Sequence, residues 1–489
     1  MIISKNGQEE ILFLIPPVEL NPKKRFVDRV YGCNYGFDYK PAIHLLILAT
    51  LAKNLGYGVR FLDCPAESFN TNKLIAYIRN NHALKMVVFF TVWLSAGEDL
   101  KAAEIISKEI PGIKIIFTGS YPTWKPRLFT LKNNYLVVRG EPEKTFSEFL
   151  QLSGDKKLQD IRGLSFFEAE NSYFQELSDM KDVPIPDRSL LKRPYFINRI
   201  CAYPATVIMT SRGCSYKCTY CAPNALDQAI ELELSRFKRE KPPLRLKEAK
   251  DVVEEFRQVY SLGYKGVEIC DNQFLWDKSR AIEICEGIKD FKLKWICCAR
   301  ADYLKDKDML RLMKDAGCIS IYIGTESFDQ RVLDDINKGL SLSDNYKAVE
   351  LVRGAGIQPE VSVLLGASSL DSKDSINYAI KRAREMNTDF VHYSIALPLP
   401  NTKLYQKLVE KKLIKNGDFN PVDNIEDAVP VFSVLEAREL RKLVRKCYFR
   451  QYLSIRFILK RIFDLDFLCT FKYRLGALLR FLRYLANIG

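Results

Sequence analysis

Short apolar runs alternate with helical patterns through the first 150 residues. ILFLIPP (11–17) reads as a buried strand ending at Pro16-Pro17, AIHLLILATLAKNLGYG (42–58) as a helix, and VRFLDC (59–64) as the next strand. MVVFFTVW (86–93), IKIIFTGS (113–120) and YLVVRGEPE (135–143) follow as strands, with an amphipathic stretch from Glu98 to Glu109 and a short helix from Lys144. Strand–helix alternation with short turns predicts a doubly wound parallel sheet. Ligands in such sheets sit at the carboxyl ends of the strands. Here those ends are Pro16-Pro17, Thr91-Val92-Trp93, Gly119 to Thr123, and Gly140-Glu141.

The pattern weakens from about 155 to 199, where turn residues and two prolines in LSDMKDVPIPDRSLL (177–191) predict a connector. A second series follows, with strands at 205–211, 266–272, 294–300, 320–327, 360–366 and 390–398. Helical patterns lie around 247–261, 277–289, 305–316, 329–337, 343–355 and 372–386. Six β/α units predict a partial barrel rather than the closed eightfold one. The fold class is therefore α/β: a doubly wound sheet (1–154), a connector (155–199), a partial (β/α)6 barrel (200–425) and a helical tail (426–489).

Composition narrows the classes. Hydrophobic residues at 47% and charged residues at 27% exclude a disordered chain. Thirteen Cys, an odd number, cannot all pair within one chain. The start MIISKNGQEEILFLIPP lacks the features of a signal peptide, and no stretch approaches the ~20 uncharged apolar residues of a membrane span. A cytoplasmic chain with reduced thiols is expected.

The loop SRGCSYKCTYC (211–221) sets Cys214, Cys218 and Cys221 directly after the first strand of the second series. This C-x3-C-x2-C spacing brings three thiolates onto one turn, enough for three corners of an iron–sulfur cube. Structural zinc would want a fourth ligand from a second knuckle, and no other C-x2-C exists in the chain. The motif resembles that of the radical S-adenosylmethionine (SAM) superfamily, C-x3-C-x-aromatic-C, with Tyr220 in the aromatic slot.

The resemblance implies a [4Fe-4S] cluster whose open iron binds SAM. One electron, from a low-potential donor such as flavodoxin or ferredoxin, then yields a 5′-deoxyadenosyl radical. It extends over about 200–405 and implies further SAM contacts beside Tyr220. Asp271 and Asn272 would face the amino group, Arg300 the carboxylate, and Glu326 and Ser327 of GTES the ribose or carboxylate. A helix-capping turn at Asp271-Asn272 and a solvated Arg300 are the plain alternatives. LLGASSLD (364–371) and ALPLPNT (396–402) resemble adenine-side segments, although Asn401 replaces the usual Gly. The adjacent Cys297 and Cys298 point to opposite faces of a strand. Cys270, Cys285 and Cys318 suit buried positions.

The first 150 residues resemble the cobalamin-binding domain that precedes many radical SAM cores, on IPP, VRFLDCPAE, TGSYPT and RGEPEKTF. That resemblance implies cobalamin contacts from Thr91, Trp93, Gly119, Ser120, Gly140 and Glu141. None of His44, His82 and His392 has an Asp two residues earlier, so the D-x-H-x-x-G lower-ligand motif is missing. Some relatives keep this domain without cobalamin, which leaves both states open. The whole arrangement resembles the group that includes the anaerobic magnesium-protoporphyrin IX monomethyl ester cyclase. The expected reaction is cobalamin-dependent C-methylation of an unactivated carbon in a lipid, isoprenoid or other small molecule. Radical cyclisation or carbon–carbon coupling without cobalamin is the alternative, and a non-catalytic metal-binding, membrane-associated module the third.

The formal charge is +14, and residues 438–489 hold 13 Lys+Arg against 3 acids. Cations interleaved with Phe, Leu, Ile and Tyr suit a helix lying on an anionic membrane surface. Peripheral association with the inner face of the membrane is one expectation. The other is a helix packed on the barrel, with snorkelling cations. Nucleic acid is not expected as a partner.

Overall fold

The computed structural model describes residues 9–21, 27–32, 39–152, 157–386, 388, 390–415, 417, 433 and 435–452, less 168, 171, 172, 198 and 201. These divide into two compact units. One holds the residues up to Tyr195 together with 223–246, and the other holds 196–222 and the residues from Lys247 on.

The first unit is built on strands β1 (Glu10–Ile15), β2 (Gly58–Asp63), β3 (Leu84–Phe90), β4 (Lys114–Thr118) and β5 (Tyr135–Val138). They run parallel in the order β2-β1-β3-β4-β5. The order reverses between β1 and β3, the switch point at which such sheets take ligands. Both faces are covered, so the strands read as unbroken apolar runs such as Ile11–Ile15 and Met86–Phe90. The helix Thr71–Arg79 has a clear apolar stripe, Leu74 and Ile78, but lies in a polar stretch that the sequence pattern did not mark. Inside the expected connector, β6 (Leu164–Phe166) and β7 (Ala169–Glu170) extend the sheet by antiparallel pairing. Strands of two or three residues are too short to leave a period in sequence.

The second unit is a curled sheet of β9 (Ala202–Ile208), β10 (Gly266–Ile269), β11 (Lys294–Ala299), β12 (Cys318–Ile323), β13 (Gln358–Leu365) and β14 (Phe390–Ile395), with the short β8 (Tyr195–Ile197) at its edge. From β9 to β14 every neighbour is parallel. The helices Ala249–Ser261, Lys278–Ile288, Lys307–Asp315, Leu342–Gly354 and Lys373–Glu385 connect them. This is the six-unit partial barrel, each strand within a few residues of its predicted place. Alternation sorts the side chains: Val267, Trp295, Cys297, Ile321, Val361 and Val391 pack in the core with the helices. On the opposite face of the sheet, Cys298, Tyr322 and His392 are only half-buried.

The helix Ala437–Tyr452 packs into the same core through Leu440, Val444, Cys447 and Tyr448. Tyr448 Oη donates to the Tyr393 carbonyl (2.7 Å) and Tyr452 Oη to that of Val391 (3.0 Å). The first part of the basic tail is therefore a barrel helix, whose cations Arg438, Arg441, Lys442 and Arg445 fall between the core positions. The rest of the tail, 453–489, lies outside the described residues. Among the described residues no helix is long and apolar enough to cross a membrane.

Candidate active site

The chain leaves β9 into the cysteine loop, turning at Gly213 with φ +89°, a left-handed value that favours glycine. Cys214, Cys218 and Cys221 are half-buried and in no disulfide among the described residues. The barrel holds the loop by its backbone. Thr219 N donates to the Ile336 carbonyl (2.9 Å), Leu404 N to that of Thr219 (2.8 Å), and Asn337 Nδ2 to that of Lys217 (2.8 Å). Tyr216 stacks on Trp276 with ring centres 5.9 Å apart, and the Arg300 guanidinium lies 3.5 Å from the Tyr216 ring centre. Among the described residues no three His, Cys, Asp or Glu side chains converge as a metal-ion site. A four-iron cube spaces its thiolates further apart than one ion does, so the donor set is judged by its chemistry. Three half-buried thiols on one anchored turn suit it.

Asp271 and Asn272 follow β10, as the sequence places them. Asp271 is fully buried and accepts from Thr210 N (2.7 Å) and Thr210 Oγ1 (2.5 Å), clasping the start of the loop. Burial pushes its carboxyl up, and the bonds from Thr210 offset only part of this. Asn272 Nδ2 donates to the Gly213 carbonyl (3.2 Å), a second clasp. In this structure both residues position the cysteine loop, and the helix from Lys278 is capped by Asp277 instead.

Arg300 ends β11 and is buried rather than solvated. It pairs with Asp302 (3.1 Å) and donates to the Lys338 carbonyl (3.0 Å), while Nη1 is buried and has no partner among the described residues. Burial works against its charge, but Asp302 outweighs it and raises the pKa. An orphaned guanidinium nitrogen beside the cysteine loop is what a carboxylate ligand would satisfy.

Glu326 follows β12 with φ +60°, a strained backbone for a non-glycine residue, and such strain gathers at functional sites. Its Oε1 accepts from Lys338 Nζ (3.1 Å), which also donates to Tyr220 Oη (3.4 Å). Burial opposes the Lys338 charge, yet Glu326 and Cys218 together hold its pKa above the ordinary value. Burial, with Glu326 and the cysteines next, pushes the Tyr220 hydroxyl well up, so Tyr220 stays neutral. Ser327 Oγ accepts from Asp329 N (3.1 Å), a local turn. Lys338 is the site residue that sequence reading passed over. Its only signal is a lone Lys between Asn337 and Gly339, two left-handed turn residues. Asn401 adopts φ +69°, the conformation of the Gly it replaces.

In the first unit Thr91, Trp93, Ser120 and Glu141 are buried. Trp93 lies tilted against Tyr121, ring centres 4.8 Å apart, and donates Nε1–H to Gln228 (2.8 Å) on the helix Ala225–Arg236. The glycines answer to the chain's own packing: a Cβ at Gly119 would lie 2.4 Å from the Thr91 carbonyl oxygen, and one at Gly140 would lie 3.0 Å from Glu233 Cβ. Glu141 is engaged by Arg245 (3.0 Å). Thr91, Thr118 and Ser120, however, carry buried hydroxyls without a partner among the described residues. Orphan polar atoms at the ends of β3 and β4 fit a polar ligand there.

Residues 208–369 match the radical SAM superfamily. The chain carries a radical SAM domain. Its cysteine loop and the residues of β10 to β12 named above fall inside that stretch. Over 93% of its length the chain is 27% identical to an uncharacterized methyltransferase of Pyrococcus horikoshii, of which it covers 95%. It is 23% identical over 75% of its length to the anaerobic magnesium-protoporphyrin IX monomethyl ester cyclase of Cereibacter sphaeroides, spanning 60% of that enzyme. Among solved structures it is similar to the cobalamin-dependent SAM radical enzyme OxsB, determined with aqua-cobalamin and SAM. That match has a TM-score of 0.69 at 17% identity and covers 93% of this chain and 68% of that one. The radical SAM domain makes the protein an enzyme.

Proposed function

We propose that this radical SAM enzyme is a cobalamin-dependent methyltransferase acting at an unactivated carbon of a small molecule. The observation that carries the reading is the anchored loop of Cys214, Cys218 and Cys221 facing the orphaned Arg300 nitrogen, in a chain whose other unit has the doubly wound switch point. When bound, the cluster supplies a low-potential electron to SAM, and cobalamin carries a methyl group. The three thiolates would hold the cluster. Arg300 Nη1 would take the SAM carboxylate, Glu326 and Ser327 the polar groups beside it, and Asn272 the amino group, while Asp271 holds the loop in place. Lys338 fixes the Glu326 carboxylate, and Tyr220 stays protonated beside it. Thr91, Ser120 and their neighbours would face cobalamin.

The test is anaerobic reconstitution with metal and corrin analysis, followed by counting of SAM-derived products. Methyl transfer yields S-adenosylhomocysteine with 5′-deoxyadenosine. 5′-Deoxyadenosine alone, in protein without corrin, would favour radical cyclisation, the second reading, which the cyclase relative supports. Membrane docking, and with it a lipid or isoprenoid substrate, is proposed only for 453–489, where 7 Lys+Arg stand against 2 acids among apolar residues. An electron donor of flavodoxin or ferredoxin type would supply the reducing equivalent.

A further inference from the structure

The inner face of the partial barrel carries a polar layer that the site above does not use. Between the core positions of β10 to β14 stand Glu268, Cys298, Ser320, Tyr322, Glu360 and His392, which pleating sends to the face away from the helices. Arg199, between β8 and β9, pairs with Glu268 and, at 3.6 Å, with Glu360. Glu360 also accepts from Ser320 Oγ (2.7 Å) and meets His392 Nε2 (2.9 Å). The two carboxylates and the guanidinium are thus committed within the layer.

His392 keeps a side open. Its side chain is 18% exposed, against 1% for Glu360. Burial would raise the Glu360 carboxyl, but Arg199 and His392 bring it down to about 2, so it is ionised and can only accept. The proton in this contact therefore sits on Nε2, which leaves the lone pair on Nδ1. The ring's hydrogen bond among the described residues is the one to Glu360, and Nδ1 is not sealed from solvent as both ring nitrogens of His44 are. Tyr322 meets the imidazole edge-on, ring centres 5.1 Å apart, and helps to fix its plane. Burial, with Glu326 next, pushes the Tyr322 hydroxyl well up, so it stays neutral. His392 pairs in register with Ser362, whose Oγ accepts from Glu326 N (3.3 Å). An oriented acceptor thus stands inside the barrel, one strand from the residue proposed to meet the polar groups of SAM.

We propose that His392 is a specificity-determining residue, whose Nδ1, oriented by Glu360, accepts a hydrogen bond from a hydroxyl or N–H group of the small molecule being modified. The inference rests on the proposed function only in taking the barrel interior as the place where that molecule reacts. The experiment is NMR of the ring nitrogens of the full chain carrying isotope-labelled histidine. Its His44, His82 and His392 give three ring signals, and His392→Gln assigns the third. His392 should show a protonated Nε2 and a bare Nδ1. Hexanol or hexylamine should move the Nδ1 signal upfield and saturably, and whichever does so tells an alcohol from an amine. Hexyl methyl ether, which has no donor, should leave it in place. Glu360→Gln should let the two tautomers mix and reduce the response severalfold. A protonated Nδ1 with a bare Nε2, an ether response equal to that of hexanol, or no response to either donor would overturn the proposal. The readout is a ring nitrogen and needs no methyl transfer. Missing corrin and S-adenosylhomocysteine would therefore fail the methyltransferase reading alone, and a silent Nδ1 would fail this one alone.

Discussion

Two buried carboxylates, Asp271 and Glu360, do opposite things because their neighbours differ. Asp271 has hydrogen bonds from Thr210, which stands four residues before Cys214, so Asp271→Ala should loosen the loop as well as weaken SAM binding. Iron content after reconstitution should fall severalfold, whereas Asp271→Asn, which keeps an acceptor for Thr210 N, should retain most of it. Equal iron in all three proteins would separate Asp271 from the loop. Glu360 sits on β13, against His392 (2.9 Å) and Arg199 (3.6 Å), and accepts from Ser320 Oγ (2.7 Å). Burial alone would raise its pKa, but Arg199 and His392 bring it from 4.5 to about 2. A carboxyl lowered on folding stabilises the fold above its ordinary value and loses that contribution as pH falls toward the folded value. The difference corresponds to about 3 kcal/mol. Glu360→Gln should therefore unfold at lower urea than the wild type at pH 7, with the gap closing between about pH 4.5 and pH 2.

At the scale of elements, the helix Ala437–Tyr452 decides how the tail is tested. Of its four core side chains, Leu440 and Val444 alone, each worth about 1.5–3 kcal/mol when fully buried, contribute roughly 3 kcal/mol or more, a large fraction of a domain's whole stability. A chain ending near Pro430 should lose cooperative unfolding of the barrel, and one ending at Tyr452 should keep it. Only the second comparison isolates 453–489. If that segment docks on membranes, the full chain should co-sediment with anionic but not neutral vesicles at low salt, and the chain ending at Tyr452 should not. Equal sedimentation of the two chains would remove the membrane proposal. The helix Ala225–Arg236 teaches a related lesson. It follows the cysteine loop in sequence yet is buried in the first unit, with Glu233 against Arg139 at 3.0 Å. Its polar residues Gln228, Glu231 and Glu233 are buried, and a sequence pattern does not distinguish water from a buried cation.

For the whole molecule, the decisive prediction is that Cys214, Cys218 and Cys221 changed together to Ala abolish both the iron–sulfur absorbance and SAM cleavage. A SAM-cleaving cluster in that triple variant would sink the assignment. Corrin in the purified protein, together with paired S-adenosylhomocysteine and 5′-deoxyadenosine, is the expected signature of methyl transfer.

The architecture is legible in the sequence, because strands buried on both faces must be continuously apolar and the helices between them amphipathic. That rule located all five parallel strands of the first unit and all six of the partial barrel. The cysteine loop was legible for a different reason: three soft ligands at fixed short spacing constrain one another within a single turn. The partners of polar side chains were not legible. Lys338 reaches Glu326 across twelve residues, Arg245 reaches Glu141 across a hundred, and Asp271 is committed to Thr210 sixty residues earlier. Those pairings set which charges are held and which donors are left over, and they depend on distances that exist only once the strands lie side by side. The same holds for the tail, where one apolar stripe suits a bilayer or a barrel equally, and the core around Tyr393 claims its first four turns.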